Sequence, residues 1–497
     1  MSIQADSAPS ARPGHERGPR LVAVNRFYWP DQSATSQLLT DLAEHLAARG
    51  GEVAIVTSRQ SYEDPMARLP ARQTQAGVAI HRVWTSRFGR HWLPGRAVDY
   101  LSFYLAALIM LLRLVRPGDT ILAKTDPPLI SVGAWVVARL RRATLVTWCQ
   151  DLFPEVAAVL GLRWAEGPVG RALAALRDRS LRAARLNVVL CRPMADRLLA
   201  VGVPAQHIAI VDNWADGRLV RPVAPEDNPL RRAWGLEGRR VIGYSGNLGR
   251  AHDLPAVQAC ITALGAADPA IVFLFIGGGA GMTALARWVA ARKLANVQFR
   301  PYQPRERLAL SLSVPDLHLV SLAPACEGLI MPSKIYGILA AGRPILALGD
   351  PQGAMAELVR AHDLGLVWAP GRERAVGELL ARAGQAEYRR HIRAVFERRF
   401  ERVHALRHWE TLLRRGPEAA DQAVPWREPA ARPVADAWPS RSRCRSCARS
   451  AATGDARSAA RSSSTMSGRK SRATVTSCGG PAGISSMPAC SRGASSA

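Results

Sequence analysis

A short run of residues in the C-terminal half brings together a carboxylate, a proline, a hydroxyl and an amine. It reads EGLIMPSK from Glu327 to Lys334, between an apolar strand pattern and a helix pattern that stops at Gly342. Proline is favoured in a first helical turn, and the free amides of such a turn bind phosphate. Lys334 adds a charge-assisted contact that contributes about 1.5–3 kcal/mol. The run predicts a diphosphate site at Pro332, Ser333 and Lys334, although a helix start with a solvated lysine fits the spacing equally well.

A glycine-rich turn directly follows another predicted strand of the same half. It reads YSGNLGR and ends at Arg250. Gly246 and Gly249, which flank Asn247, allow backbone to approach a ligand closely. The guanidinium of Arg250 offers two parallel N–H groups to a phosphate. We predict that this turn binds the same diphosphate, while noting that glycine-rich turns after strands also occur without a ligand.

Carboxylates follow two predicted strands of the N-terminal half. Asp126 lies in the sequence TDPP, and Asp151 and Glu155 lie in QDLFPE. Each is a candidate for binding acceptor hydroxyls or taking a proton, and each could equally be a cap. The aromatic sequence FYWP, which starts at Phe27, fits either an acceptor cleft or core packing.

Alternating strand and helix patterns must position these groups. Apolar strands are predicted in two series, separated by a proline-containing linker at about 213–231. They cover 21–24, 53–56, 78–83, 120–123, 144–148 and 186–190 in the first series, and 241–244, 271–276, 297–300, 317–321, 344–348 and 365–368 in the second. Strands separated by helices indicate an α/β fold of doubly wound parallel sheets, which bind ligands at the carboxyl ends of their strands.

The periodicity divides the chain into five segments. We predict a flexible leader, two Rossmann-like domains, C-terminal helices that cross back to the first domain, and a disordered low-complexity tail. The predicted boundaries are 1–19, 20–212, 213–385, 386–415 and 416–497.

Composition limits the classes of partner. The chain has 497 residues and a net charge of +26, with 66 lysines and arginines of which only four are lysines. A basic chain favours anionic surfaces. No zinc-finger spacing or RNA-binding sheet signature accompanies the charge, so nucleic acid is not an expected partner. No GxGxxG sequence opens the first strand–helix turn, which argues against a NAD-dependent dehydrogenase. The first twenty residues lack an apolar secretory segment, so we expect a cytoplasmic protein.

Taken together, these motifs over about residues 20–414 resemble glycosyltransferase family 4, and in particular bacterial enzymes of colanic acid, capsule or O-antigen assembly. The resemblance implies a GT-B fold, a retaining reaction, a nucleotide diphosphate sugar as donor, and no required metal or cofactor. It places the phosphate contacts on Arg250 and Lys334 and a donor-sugar contact on Glu327. It also implies that the domain at 20–212 binds the acceptor and that the domain at 213–385 binds the nucleotide sugar. Many members carry two glutamates separated by seven residues, before an Ala-x-Gly-x-Pro ending. Gly337 stands where the second is expected, and Glu327 lies two residues upstream of the position expected for the first. The usual ribose contact is thereby left without its carboxylate.

The resemblance also implies a lipid-linked saccharide, of the polyprenyl diphosphate type, as acceptor. The apolar segment YLSFYLAALIMLLRLV, which begins at Tyr100, is flanked by arginines and fits either an anionic membrane surface or a buried helix. Two other functions remain open at this stage. One is a nucleotide-sugar 2-epimerase of the same architecture, and the other is a non-catalytic subunit that binds a nucleotide sugar or glycan.

Overall fold

The computed structural model describes residues 20–61, 64, 66–88 and 93–415, all within one compact unit. The predicted leader and tail lie outside the described residues. Two parallel sheets form the framework, and the chain passes from one to the other once before it returns.

The first sheet has eight strands in the order β3-β4-β2-β1-β5-β6-β7-β8. All neighbours are parallel except β3 and β4. Its strands are β1 (Leu21–Val24), β2 (Val53–Ser58), β3 (Arg72–Gln75), β4 (Val78–Val83), β5 (Thr120–Lys124), β6 (Thr144–Trp148), β7 (Leu186–Val189) and β8 (Ile208–Ile210). The helices between them are α1 (Ala34–Ala48), α2 (Leu93–Leu114), α3 (Ile130–Arg141), α4 (Glu155–Val159), α5 (Arg163–Glu166), α6 (Pro168–Ala183) and α7 (Arg192–Ala200).

The second sheet has six parallel strands in the order β11-β10-β9-β12-β13-β14. Its strands are β9 (Arg240–Asn247), β10 (Ile271–Gly278), β11 (Val297–Arg300), β12 (Leu317–Ser321), β13 (Ile345–Leu348) and β14 (Gly365–Val367). The associated helices are α8 (Pro229–Ala233), α9 (Leu254–Ala267), α10 (Ala280–Ala291), α11 (Leu308–Ser313), α12 (Lys334–Ala340), α13 (Ala354–Ala361) and α14 (Glu373–Ala383).

Two strands of the first sheet were absent from the sequence prediction. β3 is the polar sequence RQTQ with alternately exposed side chains, and β8 has three residues. Both lie at an edge of the sheet, where one side of the backbone pairs and little apolar surface is buried. Edge strands of this kind carry no run of apolar residues for a sequence pattern to detect.

The chain returns to the first sheet through α15 (Ala386–Arg399) and α16 (Arg402–Arg415). α16 packs on α1, and the ring of Trp409 lies 4.4 Å from that of Trp148 at the end of β6. Trp148 also stacks on Trp214, at 5.7 Å, and Trp214 donates a 2.9 Å hydrogen bond to Asp41 of α1. The C-terminal helix therefore completes the core on one face of the first sheet.

The loops that follow β9 and β12 flank the point where the strand order of the second sheet reverses. In doubly wound sheets this switch point leaves a crevice at the carboxyl ends of the strands. The glycine-rich turn follows β9, and the run that ends in Lys334 follows β12. The fold therefore brings the two predicted phosphate-binding segments to one crevice.

Candidate functional site

Gly246 and Lys334 meet at this crevice. A Cβ atom placed on Gly246 would lie 3.8 Å from Cε and 3.9 Å from Nζ of Lys334. Gly246 has φ +120°, a conformation that residues with a side chain rarely adopt. The glycine therefore keeps backbone close to the amine and leaves the space beside it open.

The Lys334 amine rests on Tyr244, the fifth residue of β9. Its Nζ lies 3.9 Å from the centre of the Tyr244 ring and donates a hydrogen bond to the hydroxyl oxygen. The hydroxyl in turn lies 2.7 Å from the carbonyl oxygen of Asn247 and 3.2 Å from Nε2 of His252. The aromatic face and the hydroxyl together fix where the cation sits.

His252 is held as a neutral imidazole. Its Nδ1 donates to the Ser321 carbonyl at 2.6 Å, and its Nε2 lies 3.1 Å from the Asn247 carbonyl oxygen and 3.2 Å from the Tyr244 hydroxyl. Burial, together with the nearby charge of Lys334, lowers the pKa of His252 to about 4. A neutral ring at this position avoids placing a second cation beside Lys334.

Lys334 has no carboxylate partner among the residues that the structure describes. Burial lowers the pKa of its amine to about 7. A partly buried cation without a counter-ion is unfavourable until an anion arrives. The crevice is therefore built to accept negative charge at the Lys334 amine.

The remaining residues of the glycine-rich turn lie around this point. Asn247 and Arg250 are exposed, and Gly249 is partly buried. Within the described ranges the Arg250 guanidinium makes no hydrogen bond or ion pair. The next residue is tied to the neighbouring loop by a 2.8 Å hydrogen bond from the Ala323 amide to the Ala251 carbonyl. The structure thus places Arg250 in the loop that follows β9, at the end of the glycine-rich turn.

The helix after β12 begins later than the sequence suggested. α12 starts at Lys334 with Ser333 as its cap residue, so Pro332 precedes the cap instead of lying in the first turn. Pro332 is buried, whereas Ser333 is exposed and its hydroxyl does not cap the helix. The amides available to an anion are therefore those of the single turn that starts at Lys334.

Glu327 has a partner that the sequence did not indicate. Its Oε1 accepts a 2.8 Å hydrogen bond from the Ala354 amide, which opens α13. A Cβ atom on Gly353 would lie 2.3 Å from the other carboxylate oxygen, so Gly353 provides the space for this contact. The carboxylate caps the positive end of α13, and any contact with a donor sugar must share the same group.

The loop that contains Glu327 also joins the two halves of the molecule. Arg197 of α7 donates a 2.9 Å hydrogen bond to the Glu327 carbonyl. The Leu152 amide donates to the Leu329 carbonyl at 2.9 Å, and Asp151 forms an isolated antiparallel bridge with Ile330. Asp151 is thereby brought to the same interface as the loop that leads into Lys334.

The Asp151 carboxyl is the strongest acid–base candidate in the first half. Its Oδ1 is buried and has no hydrogen-bond partner within the described part of the chain. Burial, with a smaller contribution from the charge of Asp126, raises the pKa of this carboxyl to about 7, and a hydrogen bond with Thr125 opposes the shift. A raised pKa at a contact between two lobes is typical of functional sites, although ion-pair networks also produce it.

Two other predicted sites in the first half, Glu155 and the aromatic sequence that starts at Phe27, have structural roles. Glu155 accepts hydrogen bonds from Arg177 at 2.6 Å and 2.8 Å, so its carboxylate is occupied at the start of α4. Burial alone would raise the pKa of Glu155, but Arg177 lowers it below its ordinary value. Phe27 and Tyr28 are buried, and Tyr28 belongs to the core, so of the two interpretations left open core packing is the one observed for both.

Sequence reasoning missed the support beneath the lysine. Tyr244 entered the prediction only as the last residue of a strand and the first of the glycine-rich turn, and His252 was not singled out. Nothing in the local sequence indicates that Tyr244 contacts Lys334, which lies about ninety residues further along the chain, or that His252 contacts Tyr244. No set of three His, Cys, Asp or Glu side chains in the described ranges is arranged to hold a metal ion.

Comparison with known proteins shows which family of enzymes the chain resembles. Residues 34–214 match the sequence family described as "Glycosyl transferase 4-like domain". This match and the solved structures of similar fold confirm the predicted resemblance to glycosyltransferase family 4 and the GT-B fold. The chain therefore resembles glycosyltransferases in sequence, and it combines two Rossmann-like sheets in one compact unit.

Two curated relatives narrow the comparison. The chain is 28% identical over 339 residues to the putative colanic acid biosynthesis glycosyl transferase WcaI of Escherichia coli K12, a match that covers 65% of this chain and 81% of WcaI. It is 26% identical over 364 residues to the probable glycosyltransferase WbjE of Pseudomonas aeruginosa, covering 73% and 88% of the two chains.

Solved structures agree on the architecture. The Anabaena protein HepE, crystallised with UDP and glucose, superposes with a TM-score of 0.57 at 16% identity and covers 80% of this chain and 99% of HepE. The sucrose-phosphate synthase of Thermosynechococcus elongatus gives a TM-score of 0.61 at 16% identity, covering 81% and 100%. At this level of identity the likeness concerns the fold alone.

Proposed function

We propose that this protein is a retaining glycosyltransferase that moves a sugar from a nucleotide diphosphate sugar to a saccharide carried on a polyprenyl diphosphate lipid, during bacterial surface polysaccharide synthesis. The observation that carries the proposal is the Lys334 amine, which is partly buried, has no carboxylate partner in the described ranges and lies beside Gly246. The relatives named for colanic acid synthesis and for glycosyl transfer support the process.

The leaving group explains why a cation is needed there. Glycosyl transfer breaks the bond between the anomeric carbon and the oxygen of the diphosphate, while the acceptor oxygen forms the new bond to the same carbon. Negative charge grows on the departing diphosphate, and preorganised cations and amides stabilise that charge most in the transition state. In the proposed arrangement the Lys334 amine and the first-turn amides of α12 face the diphosphate, and Arg250 contacts it from the neighbouring loop.

The acceptor proton must also find a base. The Oδ1 of Asp151 is buried, which makes it poorly suited to take a proton from a hydroxyl in the crevice. We therefore place the acceptor proton on the departing diphosphate oxygen, which lies on the same face of the sugar when configuration is retained. This route needs neither a metal ion nor a protein base, since the phosphate itself accepts the proton.

The first-half crevice loops supply the acceptor side. Asp126 and Asp151 follow β5 and β6 at the carboxyl edge of the first sheet, and Asp151 pairs with the loop that precedes Lys334. We assign acceptor binding to this edge and donor binding to the second sheet. We also place the reaction on the cytoplasmic side of the membrane, where nucleotide sugars are made.

The experiment is turnover of UDP-, GDP- and dTDP-sugars with lipid-linked acceptors, with and without a chelator, and with the product anomer determined by NMR. Lys334→Ala is expected to lower kcat/KM roughly 100-fold, equivalent to about 2.7 kcal/mol of barrier. An inverted product would exclude the retaining assignment, and loss of activity with chelator would exclude metal independence.

Two outcomes would replace the proposal. Conversion of a nucleotide sugar to its 2-epimer without acceptor would identify an epimerase. Donor binding without turnover on any acceptor would identify a binding subunit. Unchanged kinetics in Lys334→Ala would remove Lys334 from the mechanism.

A further inference from the structure

One face of α2 carries apolar side chains that are exposed in the described part of the chain. Val98, Leu101, Leu105 and Ile109 follow at helical spacing and are 45%, 58%, 55% and 49% exposed. Residues three and four apart share a face of a helix, so these four form a continuous stripe about 16 Å long. Single exposed apolar side chains are ordinary, but a stripe of this length marks an interaction surface.

The opposite face of α2 is anchored to the protein. Phe103, Ala107 and Leu111 are fully buried against the first sheet, where α2 contacts β2, β4 and α3. The segment Gly95–Leu114 is long and apolar enough to cross a membrane by length and composition, with a mean hydropathy of 1.7, yet 22% of its most apolar window is buried in the protein. A helix fixed to a sheet along one side can lie on a bilayer but does not span it.

Neighbouring segments extend the stripe. Leu140 of α3, which packs beside α2, is 66% exposed, and Val136 lies one turn before it. Trp84 is also 66% exposed. The segment that contains Trp84 runs along α2, because the Ser86 amide and hydroxyl bond to Ser102 and the hydroxyl donates to Asp99 at 2.6 Å.

The exposed charged side chains of α2 and α3 have one sign. Asp99 is the only carboxylate in the sequences of α2 and α3, and it is buried in its hydrogen bonds with Ser86 and the Phe88 amide. Exposed arginines cluster where both helices end, namely Arg113, Arg116, Arg139, Arg141 and Arg142. An apolar stripe bordered by arginines, with a tryptophan at its other end, matches the interface of a bilayer that carries anionic headgroups.

We infer that the surface formed by Trp84, Val98, Leu101, Leu105, Ile109, Val136 and Leu140, hereafter the α2–α3 surface, docks on an anionic lipid bilayer. The apolar side chains enter the headgroup–acyl boundary, and the arginines at the ends of α2 and α3 contact lipid phosphates. α2 then lies parallel to the bilayer plane.

This orientation places the acceptor edge next to the lipid. Trp84 directly follows β4, and β4, β5 and β6 are parallel, so Trp84 lies at the same sheet edge as Asp126 and Asp151. A sugar on a lipid diphosphate would reach that edge without leaving the bilayer surface. This consequence rests on the proposed function, whereas lipid docking itself does not.

The test is flotation of the full-length protein with vesicles of phosphatidylcholine that contain phosphatidylglycerol, compared with vesicles of phosphatidylcholine alone. Wild-type protein is expected to float with the anionic vesicles. Leu105→Glu and Ile109→Glu should each weaken binding at least roughly tenfold, because each places a carboxylate where an apolar side chain enters the interface. Replacing both Arg113 and Arg116 by glutamine should weaken binding roughly fivefold per arginine on anionic vesicles only.

Val403→Glu is the matched control, since Val403 of α16 is 42% exposed and lies outside the α2–α3 surface. Its vesicle binding should equal that of the wild type. Each variant is also checked by thermal unfolding and by donor binding, which need no lipid and no acceptor.

The possible results separate lipid docking from the proposed function. Wild-type protein that floats with neither vesicle overturns the inference. So does a dimer, seen by light scattering, that Leu105→Glu converts to monomer without any vesicle binding, since the surface would then join two copies of the chain. Vesicle binding that depends on the α2–α3 surface in a protein that transfers no sugar would support docking and refute the function instead.

Discussion

The protonation of Lys334 gives the most demanding prediction. Burial sets the pKa of its amine at about 7 in the free protein, and no carboxylate in the described structure offsets that shift. A sugar nucleotide diphosphate carries two phosphate charges that do not titrate near neutrality. When it binds, its negative charge favours the protonated amine and raises the pKa of Lys334. Donor binding must therefore take up a proton whenever the free amine is neutral.

The magnitude follows from the fraction of protein that is already protonated. With a pKa near 7, that fraction falls from roughly nine-tenths at pH 6 to roughly three-hundredths at pH 8.5. If only the protonated amine binds the diphosphate, the donor Kd rises roughly thirtyfold over this range, which equals about 2 kcal/mol. An ordinary lysine, with a pKa of about 10.4, would give no change.

The assay is calorimetry with the preferred nucleotide sugar at several pH values and in buffers of different ionisation enthalpy, which also counts the protons taken up. Lys334→Arg keeps a positive charge that does not titrate in this range, so its donor Kd should be flat with pH whatever its absolute value. Lys293→Arg, at an exposed lysine outside the crevice, should keep the wild-type slope. A flat profile for the wild type, or an equal slope in Lys334→Arg, would refute the reasoning.

Three further predictions test the hydroxyl beneath this amine, the contact between the two lobes, and the Asp151 carboxyl. Tyr244→Phe keeps the ring under the amine but removes the hydroxyl that joins Lys334 to the Asn247 carbonyl; calorimetry should show donor affinity reduced by about 1 kcal/mol, and an unchanged Kd would make the hydroxyl irrelevant. Gly328 has φ +68°, and a Cβ atom placed on it would lie 2.9 Å from Nε of Arg197. Gly328→Ala should therefore lower the free energy of unfolding by about 1–3 kcal/mol, as measured by denaturant unfolding. Gly371 has φ +88° and no atom within 4 Å of an added Cβ, so Gly371→Ala is a control that measures the backbone strain alone. If both variants lose the same free energy of unfolding, the contact between the lobes contributes nothing. Asp151→Asn should raise Tm by a few degrees, and by more at pH 8 than at pH 5. The pKa of Asp151 is about 7 in the folded protein, above its value in the unfolded chain, so the wild type loses stability as the pH rises between the two values. A Tm difference that does not grow with pH would contradict the raised pKa.

The sequence predicted most helices and strands because buried positions carry apolar residues and exposed positions carry polar ones, which leaves a regular pattern. β2, β5 and β10 are short apolar runs between helical patterns, and such runs predict parallel strands covered on both faces. β3 and β8 were not predicted, since edge strands bury too little apolar surface to leave a pattern. The start of α12 was placed too early because a proline before a helix cap and a proline in the first turn look alike in sequence.

The sequence by itself determined the two sheets, the loops that follow β9 and β12, and the presence of an amine and glycines in them, because strand–helix alternation forces those loops to one edge. Only the tertiary structure decided what surrounds each group. Contacts between distant segments put Tyr244 and His252 beneath Lys334, turned the Glu327 carboxylate to α13, and left apolar side chains of α2 exposed in the described part of the chain. Such contacts depend on side-chain packing in three dimensions, and no local spacing encodes them.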